Sequence, residues 1–246
     1  MKGICNLAVI PLRKQPDSTS EMVSQLLFGD TFLILETLDG WVKINTLSDN
    51  YIGFISEKQY AAYNEETENW KVNNQFPYLE VHTHEGKMLL PAGCSIPNQP
   101  KLLIGKQSFD FSEYNYQIKT PFDMPSIALK YLNAPYLWGG KTAFGIDCSG
   151  FTQMVYKQCG INIPRDAYQQ AEMGTTLDFV NECKLGDLAF FDNSEGKITH
   201  VGLMLDEERI IHASGKVRID VLDHHGILNN FDKKYTHKLR IIKRIL

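Results

Sequence analysis

From Met1 to about Ala62, short apolar runs alternate with polar turns. The runs "ICNLAVIPLR", "SQLLFGDTFLILETLDG", "WVKINTL" and "YIGFIS" are broken at "KQPDSTS", "LDG" and "SDN". Strand-length segments at this regular spacing, closed by turn residues, predict a small all-β barrel over residues 1–62. The polar stretch "YNEETENWKVNNQ" reads as a linker. Beyond it "PYLEVHTHEGKMLLPAGCSIPNQPKLLIGKQSFDFSEY" returns to strands and hairpins. Residues 63–120 are therefore expected to be a linker and a second, degenerate barrel-like β segment.

After "QIKTPFDMP" the apolar period lengthens. "PSIALKYLNA" and "CSGFTQMVYKQCG" carry helical spacing, with Pro125 near the start of one and Gly160 just past the other. In the second, Phe151, Val155 and Cys159 recur so as to bury one helix face. "THVGLMLDEERIIHASG" reads as two apolar strands joined by a polar turn at Asp206 to Glu208. The pattern predicts a third unit, α+β, over residues 121–246.

Composition narrows the function classes. The chain has 246 residues, 43% hydrophobic and 22% charged, with a formal net charge of -4. These values fit an ordinary globular protein with no basic field for nucleic acid or acidic lipid, so neither nucleic acid nor membrane is expected as a partner. Cys5, Cys94, Cys148, Cys159 and Cys183 are odd in number and form no CxxC pair, which fits a reducing compartment. No run reaches the roughly 18 apolar residues of a membrane span. "MKGICNLAVIPLR" reads as a first strand rather than an export signal. A cytoplasmic monomer is expected.

Candidate chemistry centres on Cys148. It opens a predicted helix, where unpaired backbone N–H groups and the macrodipole favour a thiolate and could cradle an oxyanion. A cysteine there is expected to have a lowered pKa. Asp147, Ser149 and Gly150 around it are the capping and small residues that a turn presenting a thiol uses. A nucleophilic thiol needs a base, and His200 and His212 are the candidates. With a loop of Asp206 to Glu208, the two histidines become diagonal neighbours on one sheet face, within reach of each other's rings. A one-residue slip would separate them. The remaining histidines, His237 among them, read as surface residues. Two alternatives stay open at this level: a buried packing thiol, and a zinc site built from Cys148, His200 and His212.

"YLWGG", "DCSGF", "LGDLAFF", "THVGLML" and "IIHASG", in that order, closely resemble the NlpC-type bacterial cell-wall cysteine peptidases, a papain-like family. The resemblance implies Cys148 as nucleophile, His200 as base and His212 as third member, with neither cofactor nor metal. The N-terminal "PLR", "FGD", "GW" and "GFIS" resemble bacterial SH3-like domains. The pair narrows the resemblance to a branch that cuts the γ-D-glutamyl to L-diamino-acid bond of murein peptides with a free N-terminal L-alanine, in peptidoglycan recycling. For substrate binding it implies Asp147 and Ser149 at the free amine, Tyr136 and Trp138 as walls, Tyr51 from the barrel, and Arg165 with Asp166. "PRDAYQQ" departs from a relative pattern like "PRDSSQQ" by placing Ala167 and Tyr168 where serines are expected. An amidase or acyltransferase on the same fold and a non-catalytic wall-binding module are the rival readings.

Overall fold

A computed structural model describes residues 1–63, 70–114 and 119–246. The chain divides into two compact units, Met1–Ile118 and Lys119–Leu246.

The first unit begins with a seven-stranded antiparallel sheet. In sheet order its strands are Met22–Leu27, Val9–Arg13, Ile52–Ser56, Trp41–Thr46, Thr31–Leu38, Lys2–Ile4 and Ala61–Ala62. Alternate residues turn inward, so Ile10, Leu12, Val42, Ile44 and Ile55 meet Cys5, Leu26 and Phe32 in one core. Much of the β structure after residue 70 is built onto this sheet. Phe28 packs edge-on to Phe109 with ring centroids 4.9 Å apart, and the Ser95 N–H donates to the Phe28 carbonyl at 2.9 Å. Residues 64–69 of the expected linker lie outside the described residues, but Trp70–Val72 within the same stretch is a strand paired with Ser95–Pro97. A four-stranded sheet of Gly86–Pro91, Tyr78–Thr83, Gln107–Asp110 and Lys101–Ile104 completes the unit.

The second unit is mostly β. Its helices are few, α1 (Met124–Lys130), α2 (Cys148–Gln158) and α3 (Ala167–Gln170), so the expected balance of helix and strand is shifted towards sheet. The sheet runs Thr175–Leu177, Tyr235–Arg244, Leu188–Asp192, Ile198–Met204, Arg209–Ser214, Lys216–Asp223 and Gly226–Leu228. Gly226–Leu228 also pairs with Tyr235–Arg244, which joins six strands into a closed ring. α2 packs on the Ile198–Met204 and Arg209–Ser214 strands.

The sequence shows why α2 begins where it does. Asp147 has extended backbone angles, and its side chain accepts from the Gly150 N–H at 2.7 Å, satisfying one of the donors a helix start leaves open. Gly160, at φ 81, stops it. The helix is buried nearly all round, with only Lys157 left half-exposed, where the spacing of Phe151, Val155 and Cys159 had suggested a single buried face. Among the described residues no helix is long and apolar enough to cross a membrane.

Candidate active site

Three elements bring the chemistry together. α2 places Cys148 in its first turn, 5% exposed. Gly150 lets the helix start approach the "WGG" loop, because a Cβ there would stand 2.3 Å from the Gly140 carbonyl oxygen. The hairpin of Ile198–Met204 and Arg209–Ser214 carries the two histidines. Its register pairs Gly202 with His212, so His200 is diagonal to His212, and the connecting loop is Asp206 to Glu208. His200 Nε2 and His212 Nδ1 are 2.8 Å apart, with the rings edge to face at 5.0 Å. Gly202 is required there, since a Cβ would lie 2.9 Å from that of His212. The backbone N–H of Val201, next to His200, lies against the Cys148 sulfur.

The other predicted site residues separate. Asp147 is 5% exposed and its carboxylate is filled: Oδ1 accepts from Gly150 N–H and Arg165 Nη1, Oδ2 from Gly139 N–H and Arg165 Nη2. Arg165, 1% exposed, also donates to Ser149 Oγ at 2.9 Å. Arg165 thus orders Asp147 and Ser149 from beneath. Asp166 is the N-cap of α3, with a capping box to Gln169, and Tyr168 is exposed. The Tyr136 hydroxyl lies near Cys148, Asp147 and Arg165, while Trp138 is 57% exposed. Tyr51 belongs to the first unit and packs against the barrel core.

Residues 133–238 match the NlpC/P60 family, and residues 12–59 match the bacterial dipeptidyl-peptidase SH3 domain. The chain carries an NlpC/P60 domain. A γ-D-glutamyl-L-lysine dipeptidyl-peptidase of Bacillus cereus is 28% identical over 87% of this chain and 74% of that protein. One of the same description from Bacillus subtilis is 46% identical over 34% of this chain, a match spanning 28% of that protein. The crystal structure of an NlpC/P60 family protein from Bacillus cereus superposes with a TM-score of 0.83 at 22% identity, covering all of both chains. The fold is the papain-like NlpC/P60 fold with an SH3-like domain.

In the NlpC/P60 domain burial favours the neutral forms of both the Cys148 thiol and the His200 imidazole. Burial pushes the Cys148 thiol up to about 12, with the Asp147 carboxylate adding to the rise; the Val201 and Ser149 N–H groups and Arg165 oppose it. The lowered pKa expected from a helix start is thus overridden by burial and a neighbouring carboxylate. Burial, then His212 and His237, hold His200 well below its ordinary 6.5. A base works only while neutral. The acid limb of kcat/KM is therefore expected well below pH 6.5, with a plateau through neutrality; a rate profile with an acid limb at or above 6.5 would contradict this electrostatic account.

The NlpC/P60 domain also holds two residues that sequence reasoning did not place. His237, read as a surface histidine, is half-buried and stacked on His200 with ring centroids 4.1 Å apart. Burial and then His212 lower it to about 4, so it stays neutral beside His200 at pH 7. Asp220, 1% exposed, receives the far side of His212: Nε2 to Oδ2 is 3.1 Å. A signal for Asp220 existed. The turn at Gly215 pairs Ser214 with Lys216, which makes Asp220 diagonal to His212 as His212 is to His200. Among the described residues the group able to gather around a metal ion is Asp223, His224 and His225, which includes none of Cys148, His200 and His212.

Proposed function

We propose that this protein is a cysteine peptidase that hydrolyses the γ-D-glutamyl to L-diamino-acid bond of murein peptides carrying a free N-terminal L-alanine. The observation that carries the reading is the line from the Cys148 helix start to paired His200 and His212. Its specificity is supported by the two relatives described as γ-D-glutamyl-L-lysine dipeptidyl-peptidases and by the matched dipeptidyl-peptidase SH3 domain.

The chemistry starts from the neutral pair. As Cys148 Sγ bonds the amide carbon, its proton passes to His200 and the carbonyl π pair moves onto oxygen, to which first-turn N–H groups of α2 can donate hydrogen bonds. His200 then gives that proton to the leaving amine as the C–N bond breaks. Water, deprotonated by His200, hydrolyses the thioester and restores the thiol. The substrate amine is assigned to Asp147 and Ser149. With the Asp147 oxygens filled by Arg165 and backbone donors, the entering ammonium takes the Ser149 hydroxyl as its acceptor, and Asp147 holds that hydroxyl's surroundings in place. A requirement for a free amine would exclude intact, glycan-linked wall and suit recycling inside the cell.

Mass-spectrometric product analysis tests this on L-Ala-γ-D-Glu-L-Lys beside its N-acetylated form. Release of L-Ala-D-Glu from the free-amine peptide alone is expected. Equal cleavage of both would leave the peptidase and remove the amine requirement. No cleavage of either would sink the proposed activity.

A further inference from the structure

The proton positions in the two catalytic imidazoles are not free to vary, because a buried carboxylate stands at the end of the chain. We infer that Asp220 is a positioning residue which, through His212, decides which ring nitrogen of His200 is left to take the thiol proton. The inference rests on the reading of Cys148 and His200 as nucleophile and base.

Asp220 lies in the Lys216–Asp223 strand, and His200, His212 and Asp220 form a diagonal staircase across three neighbouring strands. The carboxylate is pinned. Oδ1 accepts from the Asn230 backbone N–H at 2.8 Å and from Arg218 Nη2 at 3.0 Å, and Arg218 Nε stands 2.7 Å from Oδ2. Burial pushes Asp220 up, but the bonds from His212, Asn230 and Arg218 outweigh it and bring the group down to about 2, so it is ionised at neutral pH.

An ionised carboxylate only accepts, so the proton between Asp220 and His212 belongs to His212 Nε2. In a neutral imidazole the other nitrogen then holds a lone pair, and His212 Nδ1 must accept. Its partner at 2.8 Å, His200 Nε2, must therefore donate. The neutral His200 ring is left with a lone pair on Nδ1, and that is the atom that takes the proton from Cys148. The reverse order fails chemically. A proton on His212 Nδ1 would make His200 Nε2 the acceptor, place the His200 proton on Nδ1, and leave no base for the thiol.

Two substitutions separate this role from simple filling of a buried site. In Asp220→Asn the amide oxygen is kept at the fixed Asn230 N–H, so the NH2 group faces His212 Nε2 and drives the relay into the wrong order. Asp220→Ala leaves His212 free to adopt either form. The asparagine variant is expected to lose on the order of 10²–10⁴-fold in kcat with little change in KM, and to be slower than the alanine variant although it is closer in shape. A structural role predicts the opposite ranking. Ring ¹⁵N NMR of histidine-labelled wild-type protein should show His200 and His212 each protonated at Nε2 alone, and the asparagine variant should move His200 to the Nδ1 form. An asparagine variant more active than alanine, or wild-type His200 protonated at Nδ1, would overturn the inference. If neither variant folds, the wild-type spectrum decides it. Retained activity in Cys148→Ala would instead overturn the underlying reading of the site, whatever Asp220 does.

Discussion

Replacing Cys148 with alanine is expected to slow release of L-Ala-D-Glu by about 10⁴-fold or more while leaving the fold intact. The size follows from the proposed role of Cys148 as nucleophile: His200 and the helix-start N–H groups remain, and without a thiol they can only assist water. The change deletes one sulfur atom from a site where α2 is already buried nearly all round. Thermal stability should therefore shift far less than activity. A packing thiol predicts the reverse, with a lowered melting temperature and hydrolysis close to wild type, and that outcome would remove Cys148 from the chemistry. Circular dichroism melting beside product analysis on the same preparations distinguishes the two.

The second large effect is on stability. Arg165→Met is expected to cost about 3–5 kcal/mol, because it strips the counter-charge from a carboxylate buried beneath the helix start. Arg165 and Asp147 are 1% and 5% exposed and are joined by two bonds, Nη2 to Oδ2 at 2.6 Å and Nη1 to Oδ1 at 3.0 Å. For a chain of this size that cost corresponds to a fall in melting temperature of roughly 10 °C. Adding Asp147→Asn to the same protein removes the stranded charge and should recover part of the loss, so a double-mutant cycle by thermal denaturation isolates the pair. Arg165→Lys should not substitute, since a single ammonium cannot bridge both carboxylate oxygens and the Ser149 hydroxyl together. A loss under about 1 kcal/mol in Arg165→Met would show that the pair does not hold this end of α2.

Much of the site was legible along the chain because its parts are local. "DCSG" is a cap followed by a helix, and Asp147 does cap Gly150. "THVGLMLDEERIIHASG" fixes a hairpin register by alternation and loop length, and the register places His200 and His212 together. The barrel strands read correctly for the same reason, as inward and outward positions repeat every two residues. Three features did not follow from such rules. Residues 63–120 read as a linker and a separate segment, yet Phe28 meets Phe109 across 80 intervening residues, a contact that no local period encodes. His237 reads as one polar residue of an exposed strand, and only the closure of the strand ring brings it onto His200. The thiol reads as acidified by a helix end, and only its depth reverses that.

The sequence by itself determined the elements that carry the candidate site: barrel strands, the capped helix at Cys148, and a hairpin with two histidines in diagonal register. Each depends on neighbours a few residues away, through periodicity, capping and turn length. Tertiary structure alone decided the electrostatics. Burial sets whether Cys148 and His200 rest neutral, Arg165 neutralises Asp147 from 18 residues away, and Asp220 orders the protons of the histidine pair. The reason is physical: desolvation and the choice of counter-charge depend on everything packed around a group, whichever part of the chain it comes from.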